Sequence, residues 1–225
     1  MSPETPFTSL SLEHSSTVDR VVEELRRALF DGEVEAGTPL REHALGEAMG
    51  VSRSTIREAL GVLVAEGLAT REPNRGVHVT ALDPDSVHDV CAARAVLEAA
   101  GVRRWPEASQ AARDDVRRAL EDFTAAAHDG ASPAELTAAH LGVHKAFVGL
   151  NESSRLAAMA EAVTSEVRLG LAKVDRIRRN AAEQVVSHRA LLTLLESGDV
   201  DAAERELEDH LRNAETSMLT ALHLR

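Results

Sequence analysis

Four of the ten histidines and three arginines stand where their spacing could do chemistry. His140 and His144 are four residues apart, so on a helix both rings project from one face. His188 and His210 lie ten residues before Gly198 and eleven after Asp199. A turn at Gly198-Asp199 would fold their two helices into an antiparallel hairpin and bring these rings level. Four imidazoles converging inside a bundle would make a nitrogen-rich site for a divalent ion, since neutral imidazole is the commonest metal ligand and suits zinc or nickel. The arginines suggest a different chemistry. Arg53 and Arg57 share a helical face directly after Ser52, beside the hydroxyls of Ser54 and Thr55 and the free N–H groups of a helix start, a setting that attracts phosphate oxygens. Arg75 stands next to Gly76 at a sharp turn. The remaining histidines (His14, His43, His78, His88, His128 and His223) read as surface or hydrogen-bonded side chains.

Elements with definite properties must hold these residues. Ser52 is placed as a helix N-cap, and Ile56, Leu60 and Leu63 form one apolar stripe behind Arg53 and Arg57. Gly67 ends that helix. Leu68 to Arg71 and Gly76 to Thr80 read as two short strands joined by Glu72-Pro73-Asn74-Arg75. Upstream, Val18, Val21, Val22, Leu25 and Leu29 recur at helical spacing from about Thr17, and Asp31-Gly32 stops that helix. A second helix is expected over roughly Arg41–Met49, with Leu45 and Met49 inward and Gly50 breaking it. Helix, helix, tight turn, helix and hairpin make a winged helix-turn-helix.

Downstream the pattern is helical throughout. Ala81-Leu82-Asp83-Pro84 reads as a short linker, with Asp85 or Ser86 capping a helix that runs to about Trp105. Further helices are expected over Ala108–Ala127, Ala134–Leu150 after the cap Ser132, Arg155 to about Arg179, then to Ser197 after a break at Asn180, and from Val200 onward. No strand-like segment, phosphate-binding glycine loop or fixed repeat interrupts them. The fold class is therefore mostly α: an N-terminal winged helix-turn-helix with a small β-hairpin, then an all-α bundle. The expected division is a flexible tail at 1–15, the winged unit at 16–80, a linker at 81–84 and the bundle at 85–225.

Composition narrows the function. The formal charge of −12 argues against indiscriminate nucleic-acid binding. Residues 1–80 themselves hold 8 Lys and Arg against 13 Asp and Glu, so any DNA contact must come from local placement. The single cysteine, Cys91, excludes an internal disulfide and fits a reducing compartment. No apolar run approaches the ~20 residues of a membrane span, and no signal pattern opens the chain, so a cytoplasmic location without membrane contact is expected.

The run Pro39-Leu40-Arg41-Glu42, Leu45, Gly50-Val51-Ser52-Arg53-Ser54-Thr55-Ile56-Arg57-Glu58-Ala59-Leu60, Leu63, Gly67-Leu68 and Arg75-Gly76 resembles the GntR family of bacterial transcription regulators over about residues 17–80. The family often has proline where Thr55 stands. The resemblance implies that Arg53, Ser54, Thr55 and Arg57, started by Ser52, meet bases and phosphates. It also implies that Arg75 and Gly76 carry the wing into the minor groove and that Arg41 lies near the DNA backbone. Arg94-Ala95-Val96-Leu97-Glu98, His144-Lys145-Ala146-Phe147, Asn151, Ser187-His188-Arg189-Ala190-Leu191-Leu192, Ser197-Gly198-Asp199 and His210-Leu211 are similar, more loosely, to the FCD ligand-binding domain of the FadR subfamily. Metal-binding members of that subfamily use an Asp four residues before the first of three His ligands. His140 stands in its place, which leaves the site one unit more positive and favours zinc or nickel over magnesium or calcium.

The resemblance implies a homodimer on a two-fold symmetric operator, acting as a repressor, with operator affinity set by a small organic acid in the bundle. Arg94 is the candidate to clamp the effector carboxylate through two parallel N–H bonds, or else to pair with Glu98 one helical turn on. Two other readings compete. A metal-dependent enzyme would need a catalytic group, and His140-Leu141-Gly142-Val143-His144 lacks the Glu that follows the first His in zinc-protease helices. An architectural DNA-binding protein would carry an inert helical dimerisation domain.

Overall fold

The computed structural model describes residues 16–178 and 181–223. The tail expected at 1–15 and the break expected at Asn180 lie outside the described residues. α1 (Thr17–Phe30) starts with a reciprocal capping box between Ser16 and Asp19. α2 (Glu42–Met49) begins one residue later than expected, because Arg41 adopts the extended N-cap conformation. Gly50 ends α2 in the left-handed region at φ 65, which lets the chain turn at once into α3 (Arg53–Ala65). β1 (Ala69–Glu72) and β2 (Gly76–Val79) pair antiparallel, with Ala69 opposite Val79 and Glu72 opposite Gly76.

Val21, Val22, Leu25 and Leu29 from α1, Ile56, Leu60 and Leu63 from α3, and Leu68, Val77 and Val79 from the hairpin form one buried core. The apolar stripe of α3 therefore faces inward, and its Arg53–Arg57 face is turned to solvent. Leu45 and Met49 are only partly buried against this core, whereas Gly46 is fully buried.

The bundle holds α4 (Pro84–Arg103), α5 (Gln110–His128), α6 (Pro133–Gly149), α7 (Ser154–Arg178), α8 (Ala181–Ser197) and α9 (Val200–His223). α4 starts earlier than the sequence pattern suggested. Asp83, not Asp85 or Ser86, accepts the bond from the Ser86 amide, and Pro84 occupies the first helical position that its ring favours. Pro84 is thus helix rather than linker, and Leu82 is buried beside Val87 and Met218. Ser132 and Glu135 form a capping box at the head of α6, which satisfies two otherwise unpaired N–H groups there. Gly198 at φ 85 and the Asp199 carboxylate, accepting from the Ala202 amide at 3.0 Å, make the α8–α9 turn.

Two features tie these parts together. α4 and α6 approach so closely at Gly101 that a Cβ there would lie 1.8 Å from the Phe147 carbonyl oxygen. α7 reaches from the bundle to the winged unit. Leu169 packs on the winged core, the Arg168 guanidinium lies 3.7 Å from the centre of the Phe30 ring, and Glu166 covers Gly67.

Candidate metal centre and nucleic-acid interface

His140 and His144 of α6 share one inward face, and the Gly198 turn brings His188 of α8 level with His210 of α9. All four are buried, and one ligand-capable atom from each lies within 4.8 Å of the others. His188 Nε2 is 3.1 Å from His144 Nε2, which is 3.3 Å from His140 Nε2. The rings of His188 and His210 are 4.4 Å apart. Phe123 of α5 stacks on His140 at 4.9 Å.

The outer ring nitrogens are tied down. His188 Nδ1 donates to the Gln184 carbonyl at 2.7 Å, and His144 Nδ1 meets Glu98 Oε2 at 2.7 Å. His210 Nδ1 is 3.2 Å from the Ser187 hydroxyl. With Nδ1–H engaged outward on His144 and His188, their Nε2 lone pairs face the centre, the orientation that hydrogen bonds to the outer nitrogen impose on metal-ligating histidines. His210 Nε2 is buried without a hydrogen-bond partner.

Burial lowers the basicity of every ring in the cluster. His188 falls to about 4, against the pull of its Gln184 bond and Glu98, and His210 to about 3, helped down by its neighbour His188 and by Arg94. His140 and His144 drop well below the ordinary histidine value, first through burial and then through the other rings and Arg94. All four are neutral at pH 7 and so carry free lone pairs. The donor set fits a nitrogen-preferring divalent ion on these grounds. Two of the N–N separations, His188–His144 at 3.1 Å and His144–His140 at 3.3 Å, match the roughly 3.3 Å expected between ligands of a tetrahedral zinc with ~2.0–2.1 Å bonds.

Glu98 sits beneath the cluster and accepts from Arg94 Nε at 3.0 Å, while burial raises its carboxyl and Arg94 opposes that rise. Sequence reasoning noticed Glu98 only as the helical neighbour of Arg94. Its contact with His144 spans two helices and leaves no periodic signal. Arg94 is buried, and its Nη2 lacks a hydrogen-bond partner. The void beside it, lined by Leu97, Val148, Ala160, Val163 and Thr164 among others, is ≈ 10 Å³. That is room for about one water.

At the other end of the molecule, Ser52 caps α3 by accepting from the Thr55 amide at 3.1 Å, and its hydroxyl also meets those of Ser54 and Thr55. Arg53 and Arg57 are exposed on the outer face of α3, and Arg41 is exposed at the start of α2. Arg57 pairs with Glu42 through Nε and Nη2, at 2.9 and 2.8 Å. Arg75 is exposed at the hairpin tip and pairs with Glu72 at 2.8 Å. The left-handed residues Asn74 and Gly76 at φ 63 and 87 form that tip. The arginines and hydroxyls of α3 and the wing thus stand on the solvent side of the winged core.

A winged helix-turn-helix presenting an arginine face, joined to a helical bundle, makes this a DNA-binding transcription regulator. The chain belongs to the GntR family of bacterial regulatory proteins, in the branch that carries an FCD domain. The profile of bacterial regulatory proteins of the gntR family matches residues 17–79, and that of the FCD domain matches residues 89–213.

Among solved structures, a GntR transcriptional regulator from Rhodococcus sp. RHA1 superposes with a TM-score of 0.79 at 28% identity, covering 92% of this chain and 99% of that one. E. coli McbR/YncC has the same fold, with a TM-score of 0.72 at 20% identity over 92% of this chain and 99% of that one. The protein named "Probable D-xylose utilization operon transcriptional repressor" of Paenarthrobacter nicotinovorans is 27% identical over 91% of this chain and 89% of its own length. The family consists of transcriptional regulators, and the Paenarthrobacter relative is named as one, which removes the enzyme reading. Among the described residues no helix is long and apolar enough to cross a membrane.

Proposed function

We propose that this protein is a homodimeric, metal-loaded repressor whose grip on a two-fold symmetric operator is set by a small organic acid bound in the FCD bundle. The observation that carries the sensing half is the convergence of four neutral imidazoles directly above the buried Arg94–Glu98 pair. His140, His144, His188 and His210 would hold one divalent ion, zinc or nickel, and such an ion supplies an electrophilic centre for an anionic oxygen. Glu98 fixes the His144 ring. Arg94 keeps a buried, unpartnered Nη2 beside the cluster, the group to receive the second oxygen of an effector carboxylate. In the operator-binding half, Ser52 starts the recognition helix, Arg53, Ser54, Thr55 and Arg57 meet bases and phosphates, Arg41 lies along the backbone, and Arg75 and Gly76 carry the wing.

The small size of the void at Arg94 supports a mechanism. An organic acid is far larger than ≈ 10 Å³, so admitting one means moving a wall. Ala160, Val163 and Thr164 in that wall belong to α7, the helix that also bears Glu166, Arg168 and Leu169 against the winged unit. Displacing α7 therefore changes the seat of the winged unit, and an effector that binds the displaced state better than the closed one shifts operator affinity by that difference.

The test is elemental analysis of untagged protein beside His144→Ala and His188→Ala, followed by a thermal-shift screen of small carboxylates with and without zinc or nickel. One ion per chain, lost in both variants, together with carboxylate stabilisation only in the metal-loaded protein, is the expected result. Undiminished metal in both variants refutes the site. Metal that persists in His140→Ala makes the site a three-histidine one.

A further inference from the structure

We infer that Glu42 is a positioning residue for DNA reading, whose carboxylate holds Arg57 side-on and sets the contrast between operator and non-operator DNA. This rests on the assignment of α3 as the recognition helix. A guanidinium has two bidentate edges. Glu42 Oε1 and Oε2 accept from Nε and Nη2 of Arg57 at 2.9 and 2.8 Å, which uses the side edge. The end edge, formed by Nη1 and the second Nη2 hydrogen, is not used by this pair. That free end edge still offers two parallel N–H groups, enough for a bidentate contact with O6 and N7 of guanine. The carboxylate lies at the start of α2, one-quarter exposed, while the Arg57 side chain is 58% exposed. Arg57 is thus braced from the protein side and stays accessible from the other. Glu42 Oε2 also lies 3.7 Å from Arg53 Nη2, so one carboxylate faces both arginines of the recognition face. These arginines in turn hold the Glu42 carboxyl below its ordinary range, Arg57 first.

Two consequences follow for binding. Orientation favours the cognate base, because a braced guanidinium has less rotamer freedom to lose when it docks. Charge works against everything else. Paired arginines offer less net positive charge to phosphates, and phosphate attraction supplies nearly all sequence-independent affinity. Such a device suits a protein whose winged unit has more acidic than basic residues.

The experiment measures fluorescence anisotropy of the full-length protein on two duplexes over a series of KCl concentrations. One duplex is recovered by in vitro selection on the wild type, and the other is its shuffled sequence. For Glu42→Gln, binding to the shuffled duplex should tighten about twofold to fivefold, the affinity equivalent of freeing a surface arginine. The slope of log affinity against log salt should steepen by about one. The ratio of selected to shuffled affinity should fall about tenfold, and replacing the guanine read by Arg57 should no longer matter. Glu42→Asp keeps the charge but shortens the brace, so it should lower the ratio with the salt slope unchanged.

An unchanged ratio and slope in Glu42→Gln overturns the proposal. So does equal weakening on both duplexes with a lower melting temperature, which would make Glu42 a structural prop between α2 and α3. If Arg57→Ala binds the selected duplex like wild type, the recognition-helix assignment itself falls, and the role of Glu42 with it.

Discussion

Replacing Gly101 by alanine tests the packing that holds the four-histidine cluster together. A Cβ at this position would lie 1.8 Å from the Phe147 carbonyl oxygen and 2.8 Å from its carbon, while real Cβ contacts stay beyond 3.0 Å. The obstacle is backbone, so no side-chain rotation relieves it, and α4 and α6 must part by roughly 1 Å in an interior packed as densely as a crystal. Overpacking of this kind costs about 1–3 kcal/mol, and a rigid backbone obstacle belongs at the upper end. Removing a glycine from a helix interior returns up to about 1 kcal/mol. The net expectation is a loss of about 2 kcal/mol.

The same displacement would stretch the 2.7 Å bond from Glu98 on α4 to His144 on α6 beyond hydrogen-bonding range. Loss of the hydrogen-bond partner behind a ligating histidine typically lowers metal affinity about 10- to 100-fold. Gly142→Ala is the internal control. It lies between His140 and His144 on α6, and a Cβ there meets nothing within 4 Å. That variant should gain about 0.5–1 kcal/mol and bind metal as the wild type does. Urea unfolding of the metal-free proteins and a competitive zinc titration read both quantities. The reasoning is refuted if Gly101→Ala matches wild type in stability and zinc affinity.

Acid should destabilise the metal-free protein through His188. Its value is about 4 in the folded state against 6.5 for an ordinary histidine, so the unfolded chain binds more protons between these values. The stabilisation is complete above about pH 7 and is lost as pH falls from 6.5 toward 4, to about 3 kcal/mol from this one ring. Urea midpoints measured across that window check it, and a flat profile contradicts the buried neutral cluster. Arg57→Ala should cost ~1–3 kcal/mol on the selected operator and relax the base preference at one position in each half-site. Arg75→Ala should weaken selected and shuffled duplexes more evenly, because a wing meets phosphates or a groove with a degenerate code. Arg168→Ala should leave metal binding intact while reducing the response of operator affinity to the effector, measured as the ratio of DNA affinities with and without it. An unreduced ratio rules out the Arg168–Phe30 contact as the link.

Much of this was written in local signals. The cap at Ser132, the four-residue spacing of His140 and His144, and the turn at Gly198-Asp199 each act over a few residues. They put His140 and His144 on one face and bring His188 level with His210, while the packing of α6 against α8 and α9 joins the two pairs. The winged unit was legible for the same reason, through Gly50, Ser52 and the apolar stripe of α3. The start of α4 was misread because Asp83, Asp85 and Ser86 are all competent caps, and the preference of Pro84 for the first helical position decides between them. Contacts between elements were not legible. Glu98 with His144 and Glu42 with Arg57 join residues 46 and 15 apart, and helical periodicity says nothing about such pairs. Arg94 had two readings. The structure places it on Glu98 and adds the orphaned Nη2, which only tertiary packing could reveal.

The way α7 leans on the winged unit bears on how such proteins can be recombined. Leu82 is buried in the bundle, and Leu169 sits on the winged core, so the join between the two parts is not a free tether. A chimera that cuts at residues 81–83 and takes its DNA-binding half from another regulator would set a foreign surface against Arg168 and Glu166. The DNA-reading surface would transplant, but its seat on α7 would not, unless the counterparts of Phe30 and Gly67 travelled with it. In this chain the heritable module is larger than the part that touches DNA.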